Sequence, residues 1–287
     1  NSGMTNYLFT ENPNSPICFS KSLNGGIFNF KSSSLNLFKK IYYVCLKYKI
    51  FKLIILDEEI KYLFVKNKKK LKFVRLILPS IDSYEISLNK SKSSSYVKKL
   101  GIPVPRMYQI SSKKDLDNLP EEISYPLVIK GERGTSSSHV RYADNMVELK
   151  ERFDEVYDLD KKIDSNSSFP IIQQFIGGPT YLSQAFVDEG SVKVVVPHYK
   201  YREWPLSGGV TARAKTISSP KMTKYMIKIL ESLKWDGEVG MEWKYDSSTD
   251  EFYFLEINPR FEGSVDIAIK AGVDIPKLLI EKMNDKS

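Results

Sequence analysis

Two cysteines and two histidines in 287 residues are too few for zinc chemistry, because no set of four ligands at finger or ribbon spacing can be assembled from them. Cys18 and Cys45 fall in apolar surroundings with no export signal ahead of them, so both are expected as reduced thiols and not as a disulfide. Long hydrophobic runs are also missing. None reaches the roughly 18 uninterrupted apolar residues of a membrane span, and the best candidate, residues 41–56, is broken by Lys47, Lys49 and Lys52. The opening residues lack the succession of basic, apolar and small residues that marks a signal peptide, so a cytoplasmic location is expected. Asn1-Ser2-Gly3 ahead of Met4 reads as an appended remnant with no part in the fold.

What is present reads as globular. A content of 41% hydrophobic and 27% charged residues excludes a disordered chain, and the length suits two or three modules. The net charge of +8 gathers in a lysine-rich first third, as in residues 66–72 (KNKKKLK). No zinc-finger spacing or aromatic RNA-binding signature accompanies it, so nucleic acid is not an expected partner. A solvated face and an anionic small substrate account for the same charge.

Three zones are visible. The first runs to about residue 87 and holds short apolar runs, 52–56 (KLIIL) and 75–78 (RLIL), that read as parallel strands of an α/β sheet. Asp57-Glu58-Glu59 after the first run reads as the opening turn of a helix. The second zone opens with a helix at 89–100, stopped by Gly101 and Pro103. A strand at 126–130 (PLVIK), a small-residue loop at 131–138 (GERGTSSS) and a helix at 143–156 follow. The third zone is mostly β, with strands at 170–175, 182–187 and 191–197, a flexible loop at 207–209 and an amphipathic helix at 222–233. A hairpin at 239–257 and a last helix beginning near Gly263 complete it.

The hairpin carries the chemistry. If Tyr245 faces Tyr253, the constant sum of facing positions puts Glu242 opposite Glu256. Alternation places Glu256, Asn258 and Arg260 on one face, with Leu255 and Ile257 on the other. Facing carboxylates are destabilising unless a cation sits between them, and a few hard oxygen ligands suit Mg²⁺ shared with phosphate oxygens. Arg260 is then placed to neutralise a transferring phosphoryl group. The competing reading is a solvated edge hairpin that turns after Asn258-Pro259. Loop 131–138 follows Lys130 and could present backbone N–H groups to phosphate, although it matches neither a Walker loop nor a dinucleotide fingerprint. An ordinary surface loop is the competing reading there.

Strand 126–130, the glycine–serine loop, Gln173-Gln174-Phe175-Ile176, Glu242 and Glu256-x-Asn258-x-Arg260 together resemble the ATP-grasp superfamily in order and spacing. The likeness is to the branch of carbamoyl-phosphate synthase large subunits and biotin carboxylase, and more closely to carboxylate–amine ligases related to them. Its most specific element is Leu255-Glu256-Ile257-Asn258-Pro259-Arg260-Phe261; Arg202-Glu203-Trp204-Pro205 with Ser207-Gly208-Gly209 is similar too. The resemblance covers residues 88–280 well and the first zone loosely.

It implies an α/β (α+β) ATP-grasp fold: a short N-terminal α/β domain at 1–87, a small subdomain with a phosphate flap at 88–175, and a C-terminal subdomain with the metal site at 176–287. The two subdomains would clamp ATP. Lys90 and Lys130 would contact phosphates, and the flap, including Gly134, Ser136 and Ser137, would cover them. Gln173 would face the adenine amino group, while the stretch Gln174, Phe175 and Ile176 reads the adenine edge through its backbone. Thr180 or Tyr181 would meet the ribose, where the family often has an acidic residue. Lys200 or Arg202 would approach from the opposite sheet. Glu242, Glu256 and Asn258 would hold Mg²⁺, with Mn²⁺ as an alternative ion, and Arg260, Lys130 and Arg202 would act in catalysis. Two departures stand out: Asn89 where an Asp often precedes the lysine, and Glu262 where an aromatic residue is common.

The implied activity is an ADP-forming ligase that phosphorylates a small carboxylate and passes the acyl group to an amine. The absence of an evident activated Ser or Cys agrees with a phosphate intermediate. The alternatives are phosphorylation of bicarbonate or carbamate, as in carbamoyl-phosphate synthase, and a nucleotide-binding module without turnover. A homodimer is one expected assembly, and no membrane partner is expected.

Overall fold

Alternating aromatic residues build the first ladder, in which β1 (Tyr7–Thr10) pairs in parallel with β2 (Gly26–Asn29). In this computed structural model the described residues are 4–31, 36–120, 122–132, 139–163, 165, 167–204 and 209–285. They fall into two units, Asn1–Leu76 and Ile77–Ser287. In the first, Phe28 lies 5.9 Å from Tyr7 and 5.4 Å from Phe9, ring to ring. Helix α1 (Leu37–Lys47) buries Leu37, Ile41 and Cys45, one residue per turn on a single face. Helix α2 (Glu58–Lys66) starts where the acidic cluster stands: Asp57 accepts a hydrogen bond from the Ile60 N–H, and Glu58 and Glu59 fill the first turn.

The parallel strands expected at 52–56 and 75–78 reduce to one parallel bridge, Lys52 with Arg75. Ile54 and Leu56 are exposed, so extending the ladder would bury little apolar surface. Both cysteines are free thiols. Cys45 is buried, and burial pushes its thiol up to about 11. Cys18 is half-exposed in the turn Pro16–Phe19 and not in a core as expected.

In the second unit, α3 (Ile81–Leu88) and α4 (Lys90–Lys99) meet at Asn89, whose side chain caps α4 by accepting from the Lys92 N–H. Gly101, at φ 72°, ends that helix in the left-handed region. Next come β3 (Met107–Tyr108), β4 (Leu127–Lys130), β5 (Val140–Ala143), α5 (Met146–Ile163) and β6 (Ile171–Gln174). These strands form an antiparallel sheet in the order β3-β6-β4-β5. Leu127, Ile129 and Ile172 of this sheet pack on Leu149, Phe153 and Val156 of α5, which runs past the expected end at 156.

The remaining elements are β7 (Thr180–Asp188), β8 (Ser191–Trp204), β9 (Val210–Thr216), α6 (Pro220–Ser232), β10 (Gly237–Asp246), β11 (Glu251–Asn258), α7 (Val265–Lys270) and α8 (Ile275–Asn284). The five strands make a second antiparallel sheet, ordered β11-β10-β7-β8-β9. Trp243 of β10, which donates to the Ser183 hydroxyl at 2.9 Å, stacks on Tyr225 of α6. On the opposite face Phe186 and Val196 pack with Ala268, Ile275, Leu279 and Met283 of α7 and α8. The last helical stretch is therefore two helices, parted at Gly272 with φ 91°. Strand β9 was not expected, because the alternating positions of its sequence VTARAKT carry small residues and no residue in it is buried. Of the loop expected at 207–209, Ser207 and Gly208 lie outside the described residues. No helix among the described residues is long and apolar enough to cross a membrane.

Candidate functional site

Glu242 of β10 and Glu256 of β11 face each other across the ladder. The surrounding register differs from the expected one: Tyr245 pairs with Phe252, not Tyr253, and a register shift falls between Glu242 and Trp243. A β-bulge at Leu255 adds one residue to β11, and this alone restores the facing pair. The bulge also reverses the alternation, so Phe252, Phe254 and Ile257 are the buried set. Glu242 shares its face with Gly240 on β10, and through the neighbouring ladders with Leu182 and Gln184 on β7 and with His198 on β8.

The repulsion between the two carboxylates is offset by the protein's own lysines. The Lys200 ammonium, buried on β8, lies 3.0 Å from Glu242 Oε1 and 2.8 Å from Glu203 Oε2. Lys90, the first residue of α4, stands 3.4 Å from Glu256 Oε2. Burial tends to raise both carboxyl groups. For Glu256, the charges of Lys90, Lys130 and Arg260 outweigh it and hold the group below its ordinary value. For Glu242, burial wins and the group is raised, despite Lys200. Lys200 is raised: its two carboxylates overcome the desolvation that opposes its charge. Lys130, at the end of β4 and 7% exposed, is pushed down to about 8 by burial, with Glu256 opposing and Lys90 reinforcing the shift. Lys244 is lowered by burial as well, and its ammonium donates to the Gly178 carbonyl at 3.1 Å.

Beyond the pair, Asn258 is buried at the end of β11 and its Nδ2 donates to Glu262 Oε1 at 2.8 Å. Burial pushes the Glu262 carboxyl up to about 7. Arg260 donates to the Phe261 carbonyl at 3.2 Å. Among the described residues no three His, Cys, Asp or Glu side chains converge on a metal-binding position, so the candidate cation site is two carboxylates and one amide.

Of the residues expected around a base, Gln173 and Gln174 end β6 of the four-stranded sheet, and Phe175 and Ile176 follow directly. Gln173 and Ile176 are buried, while Phe175 is partly exposed and meets Tyr142 edge-on at 5.8 Å. The Gln174 N–H donates to the Arg106 carbonyl at 2.8 Å. Thr180 is buried at the start of β7, opposite Lys244. Arg202 is exposed near the end of β8, between two register shifts, whereas Lys200 points to the carboxylates. Gly134, Ser136 and Ser137 lie outside the described residues. Sequence reasoning missed Glu203, because a partner three residues away on a regular strand would face the other side; the irregular register near 200–203 brings it to Lys200.

Residues 87–264 match the ATP-grasp domain family, and the chain belongs to that family. The carbamoyl phosphate synthase large chain of Methanothermobacter thermautotrophicus is 26% identical over 219 residues, which cover 71% of this chain and 20% of that one. The chain therefore spans about a fifth of the length of that relative. The biotin carboxylase domain dimer of the Hydrogenobacter thermophilus 2-oxoglutarate carboxylase, solved with MgADP and bicarbonate, superposes with a TM-score of 0.80. It is 16% identical, and the match covers 99% of this chain and 65% of that one. The L-amino acid ligase of Bacillus licheniformis gives a TM-score of 0.73 at 19% identity, covering 97% of this chain and 74% of that one. The fold is thus the ATP-grasp fold, of the carbamoyl-phosphate synthase and biotin carboxylase type.

Proposed function

We propose that the protein is an ATP- and Mg²⁺-dependent ligase that phosphorylates a small carboxylate and transfers the acyl group to an amine, releasing ADP. The observation that carries this reading is the facing pair Glu242 and Glu256, with Lys90, Lys130, Lys200 and Arg260 gathered around it. The donors fit Mg²⁺: two carboxylates oppose each other, and Asn258, engaged through its nitrogen, has its oxygen end to offer. When bound, the ion would shield charge on the terminal phosphates. Lys90 and Lys130 bind phosphate oxygens in this reading, Lys200 orients the terminal phosphate, and Arg260 stabilises the group in transfer. Gln173 and the backbone of residues 174–176 receive the adenine, and the subdomains at 88–175 and 176–287 close on the nucleotide. A cytoplasmic homodimer belongs to the same proposal.

The test is a product assay. With Mg²⁺–ATP and a panel of amino acids and other carboxylates, with and without an amine, ADP and phosphate should appear only when a suitable carboxylate is present. AMP as product, or ADP release indifferent to every carboxylate, would overturn the mechanism. The likeness to carbamoyl phosphate synthase supports a second reading, in which bicarbonate alone triggers ADP release in the same assay. Nucleotide binding without any turnover would mark a regulatory module.

Lys130 supplies a pH prediction. Phosphate is bound by its charged form, which burial makes harder to keep above pH of about 8. Nucleotide affinity should therefore fall as pH rises past that value, approaching about tenfold per pH unit. Lys130→Arg stays charged and should flatten the profile. Calorimetric ADP titrations across this range check it, and a flat wild-type profile would remove Lys130 from the phosphate site. Stability moves the opposite way: the unfolded chain holds this proton up to about 10.5, so raising pH between the two values removes the cost of burying the charge.

A further inference from the structure

We propose that Glu262 is a positioning residue for Asn258, and that position 240 is glycine to make room for it. This rests on the reading of Asn258 as a metal ligand. Both side chains are more than nine-tenths buried, and Asn258 Nδ2 donates to Glu262 Oε1 at 2.8 Å. In that contact Glu262 Oε1 is the acceptor, as an ionised carboxylate must be, and so it decides which end of the amide it meets. The nitrogen is taken, and the oxygen is directed away from Glu262, on the sheet face that carries Glu242 and Glu256. Without that contact the amide could turn over and present a donor to a cation.

Gly240 faces Asn258 across the ladder. A Cβ built at Gly240 would lie 2.0 Å from Glu262 Oε1 and 2.6 Å from its Cγ and Cδ. The carboxylate therefore occupies the space that any other residue at 240 would claim. This glycine is not needed for a left-handed backbone, since it sits within a regular stretch of β10. Its role is close approach. The two positions form one device: an empty place on β10, and a carboxylate from the segment after β11 that fills it and grips the amide.

The experiment measures Mn²⁺ affinity by calorimetry in the presence of ADP, alongside ADP affinity without metal and thermal unfolding. Glu262→Leu should weaken Mn²⁺ about tenfold or more, leave metal-free ADP binding within about twofold, and keep a cooperative melt. Glu262→Gln can still offer an acceptor oxygen and should stay close to wild type. Asn258→Ala should weaken Mn²⁺ as well, and adding Glu262→Leu to it should cost nothing further, because there is no amide left to orient. If Glu262→Leu does not fold, Gly240→Ala carries the same test by displacing the carboxylate, and adding it to Glu262→Ala should weaken Mn²⁺ no further. Unchanged Mn²⁺ affinity in Glu262→Leu or Gly240→Ala, with Asn258→Ala weakened, overturns the positioning role and leaves the metal reading standing. Unchanged affinity in Asn258→Ala overturns both.

Discussion

Replacing Glu256 with glutamine should abolish turnover while leaving the protein folded. The substitution keeps volume and hydrogen-bonding capacity but removes the charge that would bind the ion, so the expected loss in kcat is on the order of 10³-fold or more. The effect on stability is small because two terms oppose each other. Lys90 at 3.4 Å, Lys130 and Arg260 lose a nearby anion, while Glu242 loses a like charge directly across the ladder. The partly exposed pair with Lys90 is worth about 1 kcal/mol at most, a shift of a few degrees in melting temperature. The variant should also lose the stabilisation that Mg²⁺–ATP gives the wild type. Calorimetric melts with and without Mg²⁺–ATP, run beside the ADP-release assay, check the three outcomes together. Near-normal activity would end the metal assignment.

Arg260→Met should reduce formation of the activated acyl group far more than it weakens ATP binding. Hydroxylamine supplied in place of the amine would trap an acyl phosphate as a hydroxamate, which isolates the first chemical step. An interaction that strengthens as charge moves onto the transferred group lowers the rate without matching loss of ground-state affinity. Hydroxamate yield should fall about 10²- to 10³-fold, with the ATP dissociation constant changed only a few-fold. Arg260 follows β11 beyond a proline and lies close enough to Glu256 to depress its carboxyl, which places its charge beside the facing pair. Equal losses in trapping and in ATP affinity would make Arg260 a binding residue only.

Much of the second unit was legible because its elements carry strong local signals. The run LVIK before a glycine, the Gly101 stop after α4 and the two strands around the 246–251 turn all appear where propensity and periodicity put them. The Glu242–Glu256 pairing was reached through a register one residue out, and the bulge at Leu255 cancelled the error. The spacing of buried residues carried a clue: Phe252, Phe254 and then Ile257 break an even count. Strand β9 and the reach of β8 to Trp204 were hidden, since their paired ends are exposed and are held by ladder bonds and not by burial of an apolar face. The first unit was read as a parallel sheet from short apolar runs, and there pattern alone could not separate an exposed loop from a buried strand. The partners of Lys200 and Asn258 were equally out of reach, because they depend on an irregular register and on a chain reversal beyond Pro259.

The lysine partners of the two central glutamates bear on what such a site would admit. Each carboxylate is already matched by an ammonium, Glu242 by Lys200 and Glu256 by Lys90. A bare divalent ion would have to displace both lysines from the two glutamates, leaving Lys200 with Glu203 alone, so by itself it gains little. A bare nucleotide would draw the lysines to its phosphates and leave two facing carboxylates uncompensated. Arriving together, ion and nucleotide would exchange partners with the resident charges, and every charge would find an opposite. In the proposed site the arrangement would act as a coincidence detector, favouring the metal–nucleotide complex over either component through coupling that is reciprocal between them.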